Sequence, residues 1–189
     1  MPKIFEGDTV TIVGGGPSLK GFDFERLRQP VIGTNHSMKY HEGELLVAID
    51  RKFHEREKEY LDGLNCFKVT YEDTHREDFI RAELNPDHDN WQTSLDWHIK
   101  RANLSGYFAV SVALHLGADK LILLGFDGGY DVNSDTPNFH PHHYQGPGMN
   151  FYTENHWYDF YKGFDIVNVG MGSRIRSFKK VPLESDFYG

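Results

Sequence analysis

The chain carries one cysteine, Cys66, in 189 residues. A single thiol excludes an internal disulfide and fits a reducing, cytoplasmic compartment. Cations are also in short supply: 20 Lys and Arg stand against 28 Asp and Glu, a formal net charge of −8. A nucleic-acid binder needs clustered cations to displace counterions from phosphates. The one dense basic stretch, residues 174–180, is too brief to make such a surface. No apolar run reaches the roughly 18 to 20 residues of a spanning helix. The opening residues, 1–8, have no signal-peptide core. Neither an internal repeat nor a low-complexity linker interrupts the chain. These absences argue against a nucleic-acid partner and a membrane span, and a cytoplasmic protein is expected. The length suits a single domain over residues 1–189 with a substantial core. Aromatic content is high, at 14%, and is concentrated after Phe139.

Two segments carry most of the information. The first reads Val10-Thr-Ile-Val-Gly-Gly-Gly-Pro-Ser-Leu19, an apolar strand running into a glycine turn. Gly14, Gly15 and Gly16 can adopt positive φ and let a ligand approach the backbone. Where such a turn opens a helix, its unpaired N–H groups attract an anion, and Ser18 belongs to the same turn. The second segment runs from Leu104 to Asp127. Its helix opens at Ser105, an expected N-cap, shows Phe108, Val112 and Leu116 on one face, and stops at Gly117. An apolar strand follows and ends at Gly125-Phe-Asp127. An acid at the C-terminal end of a parallel strand sits where open α/β sheets bind ligands.

The remaining elements alternate. Strands are expected at 9–13, 31–34, 44–49, 66–70, 120–126 and, as the last, 166–169. Helices are expected at 23–29, 51–61, 105–116 and 150–161. A loop-rich insertion is expected near 72–103 and a long Gly/Pro/His loop at 128–150. Short apolar strands alternating with helices predict an α/β, Rossmann-like fold with a mostly parallel sheet and helices on both faces.

Four blocks resemble the bacterial lipo-oligosaccharide sialyltransferases. They are the Gly14-Gly-Gly-Pro-Ser-Leu segment, Val31-Ile-Gly-Thr-Asn35, the Ser105-Gly helix leading to Gly125-Phe-Asp127, and the stretch from Asn168 to Ser177 with Gly172-Ser173. The same blocks are similar to those of the wider superfamily of MptE-like hydroxymethylpterin diphosphokinases and motility-accessory-factor glycosyltransferases. The resemblance implies a Rossmann-like fold holding a nucleotide, CMP carrying a sugar in the sialyltransferases. It implies nucleotide contacts at Gly14, Gly15, Gly16, Ser18, Asn35, Ser105, Gly106, Gly125 and Asp127. Asp50, which also ends a strand, is a further candidate, with a bond to Arg51 as the plainer role. That family places its proton-accepting histidine last in a His-Tyr-X-Gly-His segment, where this chain reads His143-Tyr-Gln-Gly-Pro147. Proline moves no proton.

The expected function is therefore transfer from a nucleotide-activated sugar of the CMP-sialic-acid type to a saccharide acceptor. The base moves to the loop holding His140, His142 and His143, with His143 preferred, and Tyr130 stabilises the leaving phosphate. Three histidines in four residues also suit a metal, joined by Asp127 or Asp131, or simply a wet surface loop. Adjacent His142 and His143 cannot readily reach one ion, and no metal ligand is assigned. His36, His41, His54, His75, His88 and His98 are read as surface residues, and the aromatic run from Tyr152 to Tyr161 as a packing face. Two other functions fit the same blocks. One is an MptE-like diphosphokinase using ATP and Mg²⁺, with Asp50 and Asp127 as ligands. The other is a non-catalytic nucleotide-binding or phage accessory protein. No cofactor is expected outside the Mg²⁺ of the diphosphokinase reading.

Overall fold

The structure is a computed structural model that describes residues 3–28, 30–71, 76–82, 104–128 and 155–183. Its strands are β1 (Thr9–Val13), β2 (Val31–Thr34), β3 (Leu45–Val47), β4 (Phe67–Thr70), β5 (Ile80–Arg81), β6 (Lys120–Leu124), β7 (Asp165–Val169) and β8 (Lys179–Val181). Its α-helices are α1 (Arg51–Arg56), α2 (Lys58–Gly63) and α3 (Ser105–His115). The strands form one sheet in the order β5-β4-β3-β2-β1-β6-β7-β8, and every pairing is parallel. The expected α/β, Rossmann-like architecture is the observed one.

Parallel strands are short and apolar here because both faces of the sheet are covered. Along β1, Val10 and Ile12 join the core beneath α3, whereas Val13 joins Leu19, Phe22, Ile122 and Leu124 on the other face. A third cluster gathers Leu46 and Ala48 with Phe53 and Leu61 of α1 and α2. The longest helix, α3, is buried all the way from Tyr107 to Leu114. It has no polar face because the sheet lies on one side and Tyr158 and Tyr161 pack on Tyr107 from another. Its end follows from Gly117, whose φ of +98° belongs to the left-handed region. Gly117 N–H bonds Leu114 O and Ala118 N–H bonds Ala113 O, so two otherwise orphaned carbonyls are satisfied.

Several expected elements take a different form. The helix expected at 23–29 is a single 3-10 turn, Phe24–Arg26, capped by the Asp23 carboxylate on Glu25 N–H. The helix expected at 51–61 is two helices that break at Glu57. The helix expected at 150–161 is, where described, a 3-10 helix over Asn155–Tyr161. Strand β5 lies within the expected insertion, and β8 follows the strand read as the last.

Candidate functional site

The chain leaves β1 toward β2 on one side of the sheet, while β6 pairs with β1 from the other side. The sheet therefore reverses its winding between β1 and β6. In open α/β sheets the crevice outside the strand C-termini at such a point is where ligands bind. Gly14, Gly15, Gly16 and Ser18 leave β1 there, and Gly125 and Asp127 leave β6 there.

These two loops are bonded to each other. Gly14 N–H bonds Leu124 O at 2.8 Å and Gly16 N–H bonds Gly125 O at 2.9 Å. Ser18 N–H donates to Asp127 Oδ2 at 2.9 Å. The expected phosphate cradle at Gly16 is thus filled from inside, because the Gly16 and Ser18 donors are committed to the turn that follows β6. The expected positive φ is also absent from the three glycines, and Gly125 carries it instead, at +68°. What Gly16 supplies is room. A Cβ there would lie 2.2 Å from Asp127 Oδ2 and 2.5 Å from Gly125 O, and one on Gly14 would lie 2.7 Å from Gly125 O.

Asp127 is fixed from behind. The preceding Phe126 carbonyl accepts from Asn168 Nδ2 at 3.0 Å and from Ser173 Oγ at 2.7 Å. Asn168 also donates to Ser173 Oγ, and Arg174 N–H bonds the Asp127 carbonyl. Asn168 and Ser173 are fully or nearly buried. The side chain of Asp127 is left half-buried, and the Ser18 hydroxyl beside it has no hydrogen-bond partner among the described residues. The resemblance marked the Asn168–Ser173 block, but the support it gives to Asp127 is a tertiary contact that no local pattern signals.

Asn35 ends β2 with a φ of +50°, the non-glycine left-handed residue among those described. It ties four elements together. Its N–H bonds Val47 O, its carbonyl accepts from Tyr60 Oη at 3.0 Å, and its side-chain oxygen accepts from Ser105 Oγ at 3.1 Å. Ser105 is therefore not the expected N-cap. That position belongs to Leu104, and the serine hydroxyl reaches across to Asn35 because Ser105 is already the first helical residue. Gly106 lets the start of α3 approach the Phe126 ring, where a Cβ would stand 2.9 Å from Cε1.

Next to Asn35, His36 is buried rather than on the surface. Its Nε2 lies 3.0 Å from Glu57 Oε1, and Lys39 Nζ lies 3.0 Å from Glu57 Oε2. Burial acts to raise the Glu57 carboxyl, but hydrogen bonds from His36 and Lys39 prevail and hold it below its ordinary range. Burial pushes the Tyr60 phenol well above its usual value, so it stays a hydrogen-bond donor to Asn35. His54 is also buried, at 3% exposure, and His41 is half-buried, so both depart from the surface reading. Asp50 is exposed and caps α1 through Lys52 N–H, while Arg51 pairs with Glu55 and not with Asp50. His140, His142, His143 and Tyr130 lie outside the described residues, as do His75, His88 and His98. Among the described residues no cluster of metal-ligand type occurs, and no helix is long and apolar enough to cross a membrane.

No protein-family model and no curated protein matches the chain. Among solved structures, the sialyltransferase CstII from Campylobacter jejuni, in complex with the substrate analogue cytidine-5'-monophosphate, matches it. The TM-score is 0.60 over 97% of this chain and 88% of that one, at 17% identity. At that identity the likeness is one of fold.

Proposed function

We propose that this protein is a glycosyltransferase-type enzyme that binds a cytidine nucleotide sugar at the β1–β6 reversal. The observation that carries the reading is the convergence of Gly16, Ser18 and Asp127 on that reversal. The likeness in fold to a sialyltransferase complexed with cytidine monophosphate supports it. The site has two chemical ends. Beside Asp127 the backbone donors at Gly14, Gly16 and Ser18 are committed, which leaves a carboxylate and a hydroxyl. That end suits a ligand offering hydroxyl or amine hydrogens, as a nucleoside does. Beside Asn35 the amide oxygen is taken by Ser105, so the amide nitrogen is the group left to donate. It stands by the N-terminus of α3, which favours an anionic oxygen such as a phosphate.

Calorimetry with CMP, UMP, AMP and ATP, each with and without Mg²⁺, tests the reading. Binding of CMP in preference to the others, and independent of Mg²⁺, is the expected result. No binding of CMP, or binding of ATP that requires Mg²⁺, overturns it.

A further inference from the structure

An open cavity of about 590 Å³ lies between the β1–β2 and β2–β3 connections. None of its lining residues belongs to the strand-end site. Phe22 and Leu27 tie it to the core cluster of Val13 and Val31, on the sheet face opposite α3. Three more rings line it. Phe24 stacks on His41, with ring centres 5.9 Å apart and planes at 23°, and lies tilted against Tyr40 at 6.2 Å. A cavity of this size and ring content suits a small ligand.

The other lining residues are all acidic. Asp23, Glu25 and Glu42 are exposed, and none of them pairs with a lysine or arginine among the described residues. One Asp23 oxygen accepts from Glu25 N–H. Arg26 is not a lining residue, but its guanidinium lies over the Phe22 ring at 5.9 Å and offsets one of the three charges. His41 adds none. A carbonyl can only accept, so His41 Nδ1 carries the proton that it donates to Glu42 O at 2.8 Å. Ser37 Oγ already accepts from Thr34 N–H, so its own proton is the one offered to His41 Nε2 at 3.3 Å. Burial, against the opposing bond to Glu42, pushes this imidazole below its ordinary pKa and keeps it neutral at neutral pH.

From these surroundings we infer that the cavity binds a free alkylated ammonium ion, with its methyl groups against the aromatic rings and its charge offset by Asp23, Glu25 and Glu42. Aromatic faces attract such a cation, and its methyl groups shed water more readily than a bare ammonium does. The carboxylates disfavour an anion. A metal ion would need ligands converging on one point, and no such cluster occurs among the described residues. The inference does not depend on the glycosyl-transfer reading.

The experiment titrates the full chain with choline and follows its backbone amides by NMR. Choline should shift the amides of residues 22–27 and 40–42 to saturation. It should bind about tenfold more tightly than its uncharged carbon isostere, and than protonated ethanolamine, which has the charge without the methyl groups. Phosphocholine should bind more weakly than choline, because its phosphate meets the same carboxylates. Phe24→Leu should weaken choline about fivefold through the lost ring. Glu42→Gln, whose carboxylate has no partner among the described residues, should fold normally and weaken choline about threefold. The absence of a saturable shift at these residues overturns the inference. So does a carbon isostere, an ethanolamine or a phosphocholine that binds as tightly as choline. If Phe24→Leu fails to fold, the ligand comparison and Glu42→Gln decide, and an unchanged affinity in Glu42→Gln overturns it. Binding of CMP should be the same in Glu42→Gln and the unmodified protein, so the nucleotide reading and this one fail separately.

Discussion

The two flanks of the strand-end cleft are made of different materials. On the β1–β6 flank the backbone does most of the joining, with N–H groups of Gly14, Gly16 and Ser18 bonded to carbonyls and a carboxylate of β6 and the turn after it. On the β2 flank side chains do it: Asn35, Ser105, Tyr60, His36, Glu57 and Lys39 link one strand to three helical segments. The first flank allows no side chain where the chains touch, so it fixes shape. The second depends on which functional groups are present, so it fixes chemistry. Adding a side chain to the backbone seam should therefore damage stability above all, whereas exchanging a functional group on either flank should show in binding.

The largest effect is expected at Gly16. Alanine there meets Asp127 Oδ2 at 2.2 Å and Gly125 O at 2.5 Å, and the second of these is backbone that cannot swing aside. Overpacking of this kind costs about 3 kcal/mol or more. In a protein of this size the melting temperature should fall by about 6 to 12 °C. Thermal denaturation of Gly16→Ala with an unchanged midpoint would break the comparison, since the flank would then have slack.

Asp127→Asn sharpens it. Asparagine keeps an oxygen for Ser18 N–H, so the melting temperature should hardly move. Affinity for CMP should fall by about 1 to 3 kcal/mol, the range for a hydrogen bond to a charged group. A fall in stability with unchanged affinity would make Asp127 a purely structural cap.

The sequence marks these two flanks unequally. Apolar runs between turn residues identified β1 and β2 to the residue, and the apolar run and Gly117 marked α3 and its end. Strands β5 and β8 are two and three residues long and rich in Arg and Lys, which gives periodicity nothing to register. The break at Glu57 has no proline or glycine to announce it. Gly16 and Asp127 were both legible as strand-end residues. The bond that joins their two loops, from Ser18 N–H to the Asp127 carboxylate, was not, because it spans 109 positions of chain. His36 was illegible for the same reason: its local sequence is polar, and its burial comes from Phe53, Glu57 and Tyr60 on elements that fold back over it.

Asn35 gives a smaller, paired test. Its φ of +50° disfavours any residue with a Cβ except Asn and Asp. Asn35→Ala keeps that strain and loses the Ser105 bond, for about 2 kcal/mol. Asn35→Gly loses the same bond but removes the strain, so it should be more stable than the alanine variant by about 1 kcal/mol. Both should bind CMP more weakly than the unmodified protein. If glycine and alanine unfold at the same denaturant concentration, the left-handed turn at the β2 end is not what sets the cost.

The smallest effect separates the flanks by pH. His54, on α1 beyond the β2 flank, is 3% exposed, with Nε2 3.0 Å from Ala48 O and its ring edge-on to Phe79 at 4.5 Å. Burial is the main reason its pKa lies below the ordinary 6.5; the Ala48 bond opposes the shift and the charge on Arg76 adds to it. The unfolded chain keeps an ordinary imidazole, so below about pH 6.5 it binds more protons than the folded chain. Stability should therefore decline as pH falls from 6.5 toward the folded-state pKa, and this contribution should level off beneath it. Half-buried His41 shifts in the same direction, again chiefly through burial. Glu57 acts lower: its folded carboxyl titrates below the ordinary 4.5, so its contribution is present above that pH and is lost as pH falls through the folded value. Urea denaturation between pH 7.5 and 5 reads the histidine part alone. The unmodified protein should lose stability across that window, and His54→Gln should lose less, whatever its stability at pH 7.5. Gly16→Ala should lower the whole curve without changing its slope, because it removes no titrating group. A slope that His54→Gln leaves intact would move the acid sensitivity off this histidine, and a slope that Gly16→Ala flattens would mean that the backbone flank and the side-chain flank do not act separately.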